Sequence, residues 1–172
     1  MLVLLIGGTH GLKDLLNSNF SNFATNSATV WSSPTTKAYK GFAKGREWDM
    51  ETDDVTRLRN AIPELDVITP QLSTGMRVAV SGDNKFSATV YGVDHNYRQV
   101  CMPEIRYGRY INAMDVKQER KVCVIGKRVY ENLFPEGGNP VGSSIRIDST
   151  YYSLVGVDFS PGALTCLLYT SD

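Results

Sequence analysis

Apolar and polar positions along the chain change period several times, and each change predicts an element. From His10 to Phe23, Leu12, Leu15, Leu16, Phe20 and Phe23 recur at helical spacing between polar Lys13, Asp14, Asn17 and Ser18. Ser27 to Ser32, SATVWS, has strand propensity. The SPTTKAYKGFAKG run after it reads as a loop, with Trp31 and Trp48 expected to pack at its two ends. Thr52 suits the cap of a helix over DDVTRLRNAIPEL: Val55, Leu58 and Ile62 share one face, Asp53 and Asp54 stand at the N-terminus, and Pro63 ends it. LDVITP then reads as a short strand.

Further along, Met76, Val78 and Val80 alternate before SGDNK, and Phe86, Ala88 and Val90 alternate after it, which predicts an antiparallel hairpin. VDHNYRQV leads into CMPEIRYGRYINAMD, an ordered crossover rich in aromatics and glycines. A strand over Lys121 to Ile125 and a short helix over Lys127 to Leu133 follow. SSIRID and YYSLVGV form a second hairpin about Ser149 and Thr150, which places Ile145 and Ile147 against the core. Strands and helices mix without βαβ repetition, so the expected class is α+β rather than a doubly wound sheet.

Composition narrows the field. At 172 residues the chain can bury a core without staples. Eighteen basic residues balance eighteen acidic ones, which removes the simplest electrostatic case for nucleic acid or an anionic membrane surface, although a folded surface could still sort its charges into patches. Cys101, Cys123 and Cys166 are odd in number and widely spaced, unlike a disulfide framework or a CxxC site. Cys123, inside an apolar run, is expected to be a buried small hydrophobe. MLVLLIGG offers six consecutive apolar residues, far short of the ~20 that cross a bilayer, and lacks the basic start of a secretory signal. It reads either as a chain end or first strand, or as the last turns of a transmembrane helix.

Candidate chemistry is sparse. VIGKRV supplies Gly126 alone where a dinucleotide fingerprint needs GxGxxG, and GGNPVGSS, with Gly142, lacks the lysine–hydroxyl unit and following helix of a P-loop. Asp49, Glu51 and Asp53 alternate, but their spacing suits helix capping and solvation better than a calcium loop. His10 and His95 are the only histidines and belong to no zinc motif; His95 could serve a serine or Cys101 after folding, yet suits a turn. Tyr91, Tyr97, Arg98, Arg106, Tyr107, Arg109 and Tyr110 interleave in one span, which favours amphipathic surface packing over a site for an anion or a partner protein. No catalytic, metal or cofactor-binding residue is assigned.

The order of the pieces carries more than any single motif. GLKDLL, SATVW, TDDVTRLRNAIPELDVITP, VYGVDHNY, IRYGRYINAMD, KVCVIGKRVYENLF, GNPVGSSIRID and YYSLVGV succeed one another as in the MacB-like periplasmic core domain of bacterial ABC-transporter permeases. The chain resembles that family from about Gly11 to Val157. The resemblance implies a two-lobed α+β core at 9–160, the end of a transmembrane helix at 1–8, and a truncated or non-native tail at 161–172, so that the domain is incomplete at its C-terminus. It also implies an extracytoplasmic, non-catalytic domain at the bacterial inner membrane that couples cytoplasmic ATP hydrolysis to export, lipoprotein release or signalling. Its implied partners are a cytoplasmic ATPase domain or subunit, a second copy in a homodimer and, in the efflux branch, a periplasmic adaptor; no cofactor and no nucleic acid are implied. Leu12, Leu15 and Leu16 are expected to hold the joint to the membrane, and Gly108, Arg109 and Asp115, resembling the family's GR…D stretch, to fix the crossover. Gly126 and Gly142 are expected to be architectural. A soluble envelope enzyme with a noncontiguous pocket and an envelope scaffold module are the alternative readings.

Overall fold

The computed structural model describes residues 27–160 and the backbone of 166–168. The helix expected over His10 to Phe23, with Leu12, Leu15 and Leu16, lies outside the described residues. Helix α1 is Thr52–Ala61, followed by β1, Gln71–Ser81, and β2, Asn84–Val93. Helix α2, Tyr97–Cys101, leads to β3, Ile105–Gly108, and helix α3, Ala113–Lys117. Strand β4, Val122–Gly126, runs directly into helix α4, Lys127–Leu133, and the hairpin of β5, Ser144–Ile147, and β6, Thr150–Asp158, follows. A short β7 is formed by Cys166–Leu168.

These strands make one mixed sheet in the order β3-β6-β4-β7-β2-β1-β5, and β5 also pairs with β6. The sheet therefore curls back on itself but is incompletely closed, because β1 meets β5 at only two residue pairs, Ala79 with Ile147 and Val80 with Arg146. Strand β4 is an interior member, between β6 and β7. It lies parallel to β6, and its VCVIG run is buried at every residue. An uninterrupted apolar run is what a strand covered on both faces requires. On one face Cys123 and Ile125 join Val90, Leu154 and Ile145 with Val129, Tyr130 and Leu133 of α4. On the other, Val122 and Val124 pack with Val93, Tyr110 and Ile111 beneath residues of α2 and α3.

Both expected hairpins form, and Ile145 and Ile147 are buried. The two-residue turn at Gly82 and Asp83 sets the β1–β2 register, with Ala79 opposite Phe86. Directly opposed residues share a face, so Phe86 and Ala88 carry Ala79 inward with them. The apolar series Met76, Val78, Val80 consequently lies on the outer face, and Met76 is 70% exposed. Helix α4 matches its expected bounds; it stops before Pro135, and the Tyr130 hydroxyl donates to the Gly138 carbonyl at 2.7 Å.

Two expected strands are absent. SATVWS has no ladder partner among the described residues, and Trp31 is 74% exposed rather than packed. Propensity alone does not hold a strand when no neighbouring edge accepts its backbone. LDVITP is irregular as well: Pro70 has no N–H to donate, and β1 begins only after it. Helix α1 is capped by Glu51 rather than Thr52, because the Asp54 carboxylate accepts the Glu51 N–H at 3.0 Å. That places Glu51 in capping, and among the described residues no cluster of His, Cys, Asp or Glu is arranged to hold a metal ion.

The face assignment of β1 has a direct test in denaturant unfolding. Replacing Met76 with Thr should change stability by less than about 0.5 kcal/mol, as for other exposed positions. Ile145→Ala, which empties a fully buried position, should cost about 2–5 kcal/mol.

Candidate functional site

Among the described residues, a dense polar construction lies where β3 leaves the sheet. Gly108 takes φ +73°, and a Cβ there would sit 2.1 Å from the Val155 carbonyl oxygen and 2.7 Å from Val141 Cγ2. The reverse contact is as tight: a Cβ on Gly156 would lie 2.1 Å from the Arg109 carbonyl oxygen. Only glycine fits either position. The Arg109 N–H donates to the Val155 carbonyl at 2.8 Å, so the crossing is also hydrogen bonded.

From this crossing the Arg109 side chain reaches the start of α3. Its Nη1 donates to Asp115 Oδ2 at 2.5 Å and its Nη2 to Asp115 Oδ1 at 3.0 Å, a bidentate pair. Arg109 Nη1 also donates to the Tyr110 carbonyl, and Arg120 Nη1 stands 3.6 Å from Asp115 Oδ1. The Asp115 carboxylate accepts the Asn112 N–H at 3.0 Å, while the Asn112 side chain accepts the Asp115 N–H at 2.9 Å. This reciprocal capping box fixes α3 at its first turn. Asp115 is fully buried, whereas Arg109 remains nearly half exposed. Burial pushes the Asp115 carboxyl up, but the Arg109 hydrogen bonds, the Asn112 N–H and the two guanidinium charges together hold it below the usual aspartate value. The Arg109 guanidinium is raised in turn, chiefly by its hydrogen bond to Asp115.

Around the knot, Tyr110 and Ile111 are buried. The Cys101 sulfur is 3.8 Å from the Tyr110 hydroxyl, and burial pushes the thiol up to about 11. A thiol in that state carries little thiolate at neutral pH and is poorly activated as a nucleophile. His95 stands in the turn before α2, where Asp94 Oδ1 accepts the N–H groups of Asn96 and Tyr97 at 2.9 and 3.1 Å. Its Nδ1 is buried without a hydrogen-bond partner. A polar cleft lined by Arg59, Asp66, Val67, Ile68, Asn96 and Gln99 borders this turn and α2, and contains none of Cys101, Tyr110, Arg109 and Asp115.

Of the sequence-derived candidates, Gly108, Arg109 and Asp115 meet in this knot. Gly142 also reaches β6: it takes φ +93° and donates its N–H to the Leu154 carbonyl at 2.8 Å. Gly126 sits at the junction of β4 and α4 as the N-terminal cap residue, with φ −77°. Leu12, Leu15 and Leu16 are outside the described residues. The aromatic–basic span divides, with Tyr107 joining Tyr130 and Phe159 in a ring cluster and the Arg106 guanidinium 4.9 Å from the Phe159 ring centre. Sequence reasoning missed Gly156, Asn112 and Arg120. Two local signals could have found the first pair, an isolated glycine within a strand pattern and an Asn three residues before an Asp at a helix start.

The arrangement holds backbone segments together and offers no assembled nucleophile and base. The profile of the MacB-like periplasmic core domain matches residues 1–167. The chain belongs to this family. A MacB-like periplasmic core domain is an extracytoplasmic, non-catalytic part of an ABC-transporter permease. The macrolide export ATP-binding/permease protein MacB of Agrobacterium fabrum is 29% identical over 170 residues, covering 92% of this chain and 24% of the relative. MacB of Syntrophobacter fumaroxidans is 28% identical over 132 residues, covering 76% of this chain and 18% of the relative. The pyoverdine export ATP-binding/permease protein PvdT of Pseudomonas savastanoi pv. phaseolicola is 26% identical over 163 residues, covering 94% and 24%. The chain thus spans at most a quarter of the length of these curated relatives. Among solved structures, the periplasmic region of MacB from Actinobacillus actinomycetemcomitans aligns with a TM-score of 0.67 at 21% identity, covering 88% of this chain and 68% of that one. The extracellular domain of the transporter YknZ from Gram-positive bacteria aligns at 0.63 and 17% identity, covering 70% and 62%. These two likenesses establish the fold.

The Arg109–Asp115 pair makes stability depend on acid. A carboxyl whose folded pKa is depressed contributes stability that is complete above its unfolded value of about 3.9 and is lost as pH falls through the folded value. Urea midpoints measured from pH 6 to pH 2 should therefore fall with acid in the wild type, and Asp115→Asn should flatten that fall. Arg109→Ala should cost about 2–3 kcal/mol at pH 7, because it leaves a buried carboxylate with only the more distant Arg120 as a charge partner.

Proposed function

We propose that this chain couples ATP-driven movement of a bacterial permease to export on the outer side of the inner membrane. The family match along nearly the whole chain carries the reading, and its curated relatives, which are named as export ATP-binding/permease proteins, favour export over lipoprotein release or signalling. In this reading ATP is hydrolysed by a cytoplasmic ATPase domain or subunit, the permease works as a homodimer, and an efflux member engages a periplasmic adaptor.

The physical requirement is stiffness. A displacement arriving through a membrane helix moves the domain as a body only if the elements it pulls on do not unravel first. Residues 1–8 are proposed as the end of that helix, with Leu12, Leu15 and Leu16 as the joint. Gly108, Arg109 and Asp115 are proposed as the clamp that keeps the β3 crossover attached to β6 under load. The two-way backbone contact and the bidentate ion pair suit that task, because neither can slide without breaking several hydrogen bonds together. Gly126 and Gly142 are assigned the turns that let α4 and the GGNPVG loop lie against the same sheet.

Reconstitution of the full-length permease with its ATPase in proteoliposomes tests this reading. Replacing residues 27–160 with a flexible linker should leave ATP hydrolysis measurable while export falls at least about tenfold. Simultaneous Leu12→Ser, Leu15→Ser and Leu16→Ser should lower export in the same direction with the domain still folded by circular dichroism. Export at the wild-type rate in the linker variant would sink the proposal.

A further inference from the structure

The balanced charge of the chain conceals an uneven distribution. From Ser27 to Arg46 there are four basic residues, Lys37, Lys40, Lys44 and Arg46, and no acidic one. In a chain of zero net charge, the remainder therefore carries four net negative charges. Trp31, Tyr39, Phe42 and Trp48 lie in or beside the same stretch, and Tyr39 and Phe42 are 68% and 58% exposed.

This segment folds into a finger. Tyr39 and Phe42 exchange backbone hydrogen bonds of 3.2 and 3.0 Å. Lys40 and Gly41 between them take φ +47° and +85°, the positive values that a tight two-residue hairpin turn needs. Nearer the base, Thr35 N–H donates to the Arg46 carbonyl, Gly45 N–H donates to the Thr35 carbonyl, and Trp48 Nε1 donates to the Ser33 carbonyl at 2.9 Å. The Lys40 ammonium stands 5.2 Å from the centre of the Tyr39 ring, and the Arg46 guanidinium 4.8 Å from that of Phe42. The tip thus presents two large rings, each with a cation beside it, and neither ring belongs to either hydrophobic cluster of the sheet.

We infer that the Tyr39–Phe42 finger docks on an anionic phospholipid surface. A tyrosine ring, apolar along its body and polar at its hydroxyl, settles at the boundary between headgroups and acyl chains, and a phenylalanine ring beside it adds purely apolar area. Lysine and arginine stems lie along apolar surface while their charged ends reach phosphate oxygens. The finger supplies both groups on one exposed turn, and the exposed acidic residues that follow it, Glu47, Asp49 and Glu51, belong to its base rather than its tip, so the basic tip is the part that suits an anionic surface. An exposed turn of this kind, with its rings and cations side by side, needs no complementary groove, which favours a lipid surface over an acidic protein partner. The inference does not depend on the export reading, since it rests on the charge of residues 27–46 and the exposure of Tyr39 and Phe42.

The chain carries an internal probe, because its only two tryptophans, Trp31 and Trp48, flank the finger. The full 172-residue chain is titrated with vesicles of phosphatidylglycerol mixed into phosphatidylcholine, and with phosphatidylcholine vesicles alone. A blue shift of tryptophan emission, with quenching by brominated phospholipid, is expected for the anionic vesicles only. The triple variant Lys37→Glu, Lys40→Glu, Lys44→Glu should partition roughly 100-fold or more weakly, at about fivefold for each charge removed and more for each reversed. Tyr39→Ser with Phe42→Ser should keep the salt dependence while losing the quenching. Because all five positions are exposed, the variants should unfold at the wild-type temperature. Equal shifts on neutral and anionic vesicles, or unchanged partitioning of the triple variant, would overturn the inference. A shift reproduced by polyglutamate and insensitive to brominated lipid would overturn it too, in favour of an acidic protein partner.

Discussion

The crossing of β3 over β6 admits no side chain on either strand, and much of the structure depends on that closeness. Strand β6 is shared by three others: β5 along its first half, β3 along its second, and β4 on the opposite edge. With Gly108 and Gly156 in backbone contact, the chain after β3 departs in one direction, which carries Arg109 toward α3 and puts Tyr110 and Ile111 under the sheet. A larger residue at either glycine would separate the strands and with them the cluster that covers one face of β4. The electrostatic knot is therefore a consequence of backbone geometry, and it then reinforces that geometry.

A buried carboxylate is costly unless every lone pair is used. Asp115 meets the condition by accepting from one guanidinium twice and from one backbone N–H, while a second guanidinium stands near. Such a group resists small displacements, since moving it exposes several unsatisfied partners together. Residues 31–48 follow a different regime. They are held by a few backbone bonds, a turn with two positive φ values and one indole hydrogen bond, with their rings facing water. The described part of the molecule joins a stiff sheet to a lightly supported aromatic finger, and these contrasting regimes suit transmission of force and contact with a surface respectively.

Much of the sheet was legible because its signals are local. The turn at Gly82 and Asp83 and the junction from VCVIG into KRVYENL each combine a period with a boundary residue and formed where expected, while the second hairpin turned at Asp148 and Ser149, one residue before the expected Ser149 and Thr150. SATVWS and LDVITP had composition without a partner edge, and neither became a strand. The apolar alternation of β1 was visible, yet its direction was not: the register imposed by Phe86 and Ala88 turned Met76 and Val78 outward. At the candidate site, Gly108, Arg109 and Asp115 stood out only through the order of segments shared with a known family. Gly156, forty-eight positions after Gly108, left no pattern linking the two.

The amino-acid sequence by itself determined the mixed α+β class, both hairpins, the buried strand at Val122 to Ile125 and, through segment order, the family. Period, turn chemistry and apolar runs act over a few residues, so they survive in one dimension. Tertiary structure alone decided which face of β1 meets solvent, that two distant glycines touch, that Asp115 is buried beneath Arg109, and that the Tyr39–Phe42 turn stands clear of the core. Each of these depends on which strand lies beside which, and that is settled by the simultaneous packing of all the strands around β4 and β6.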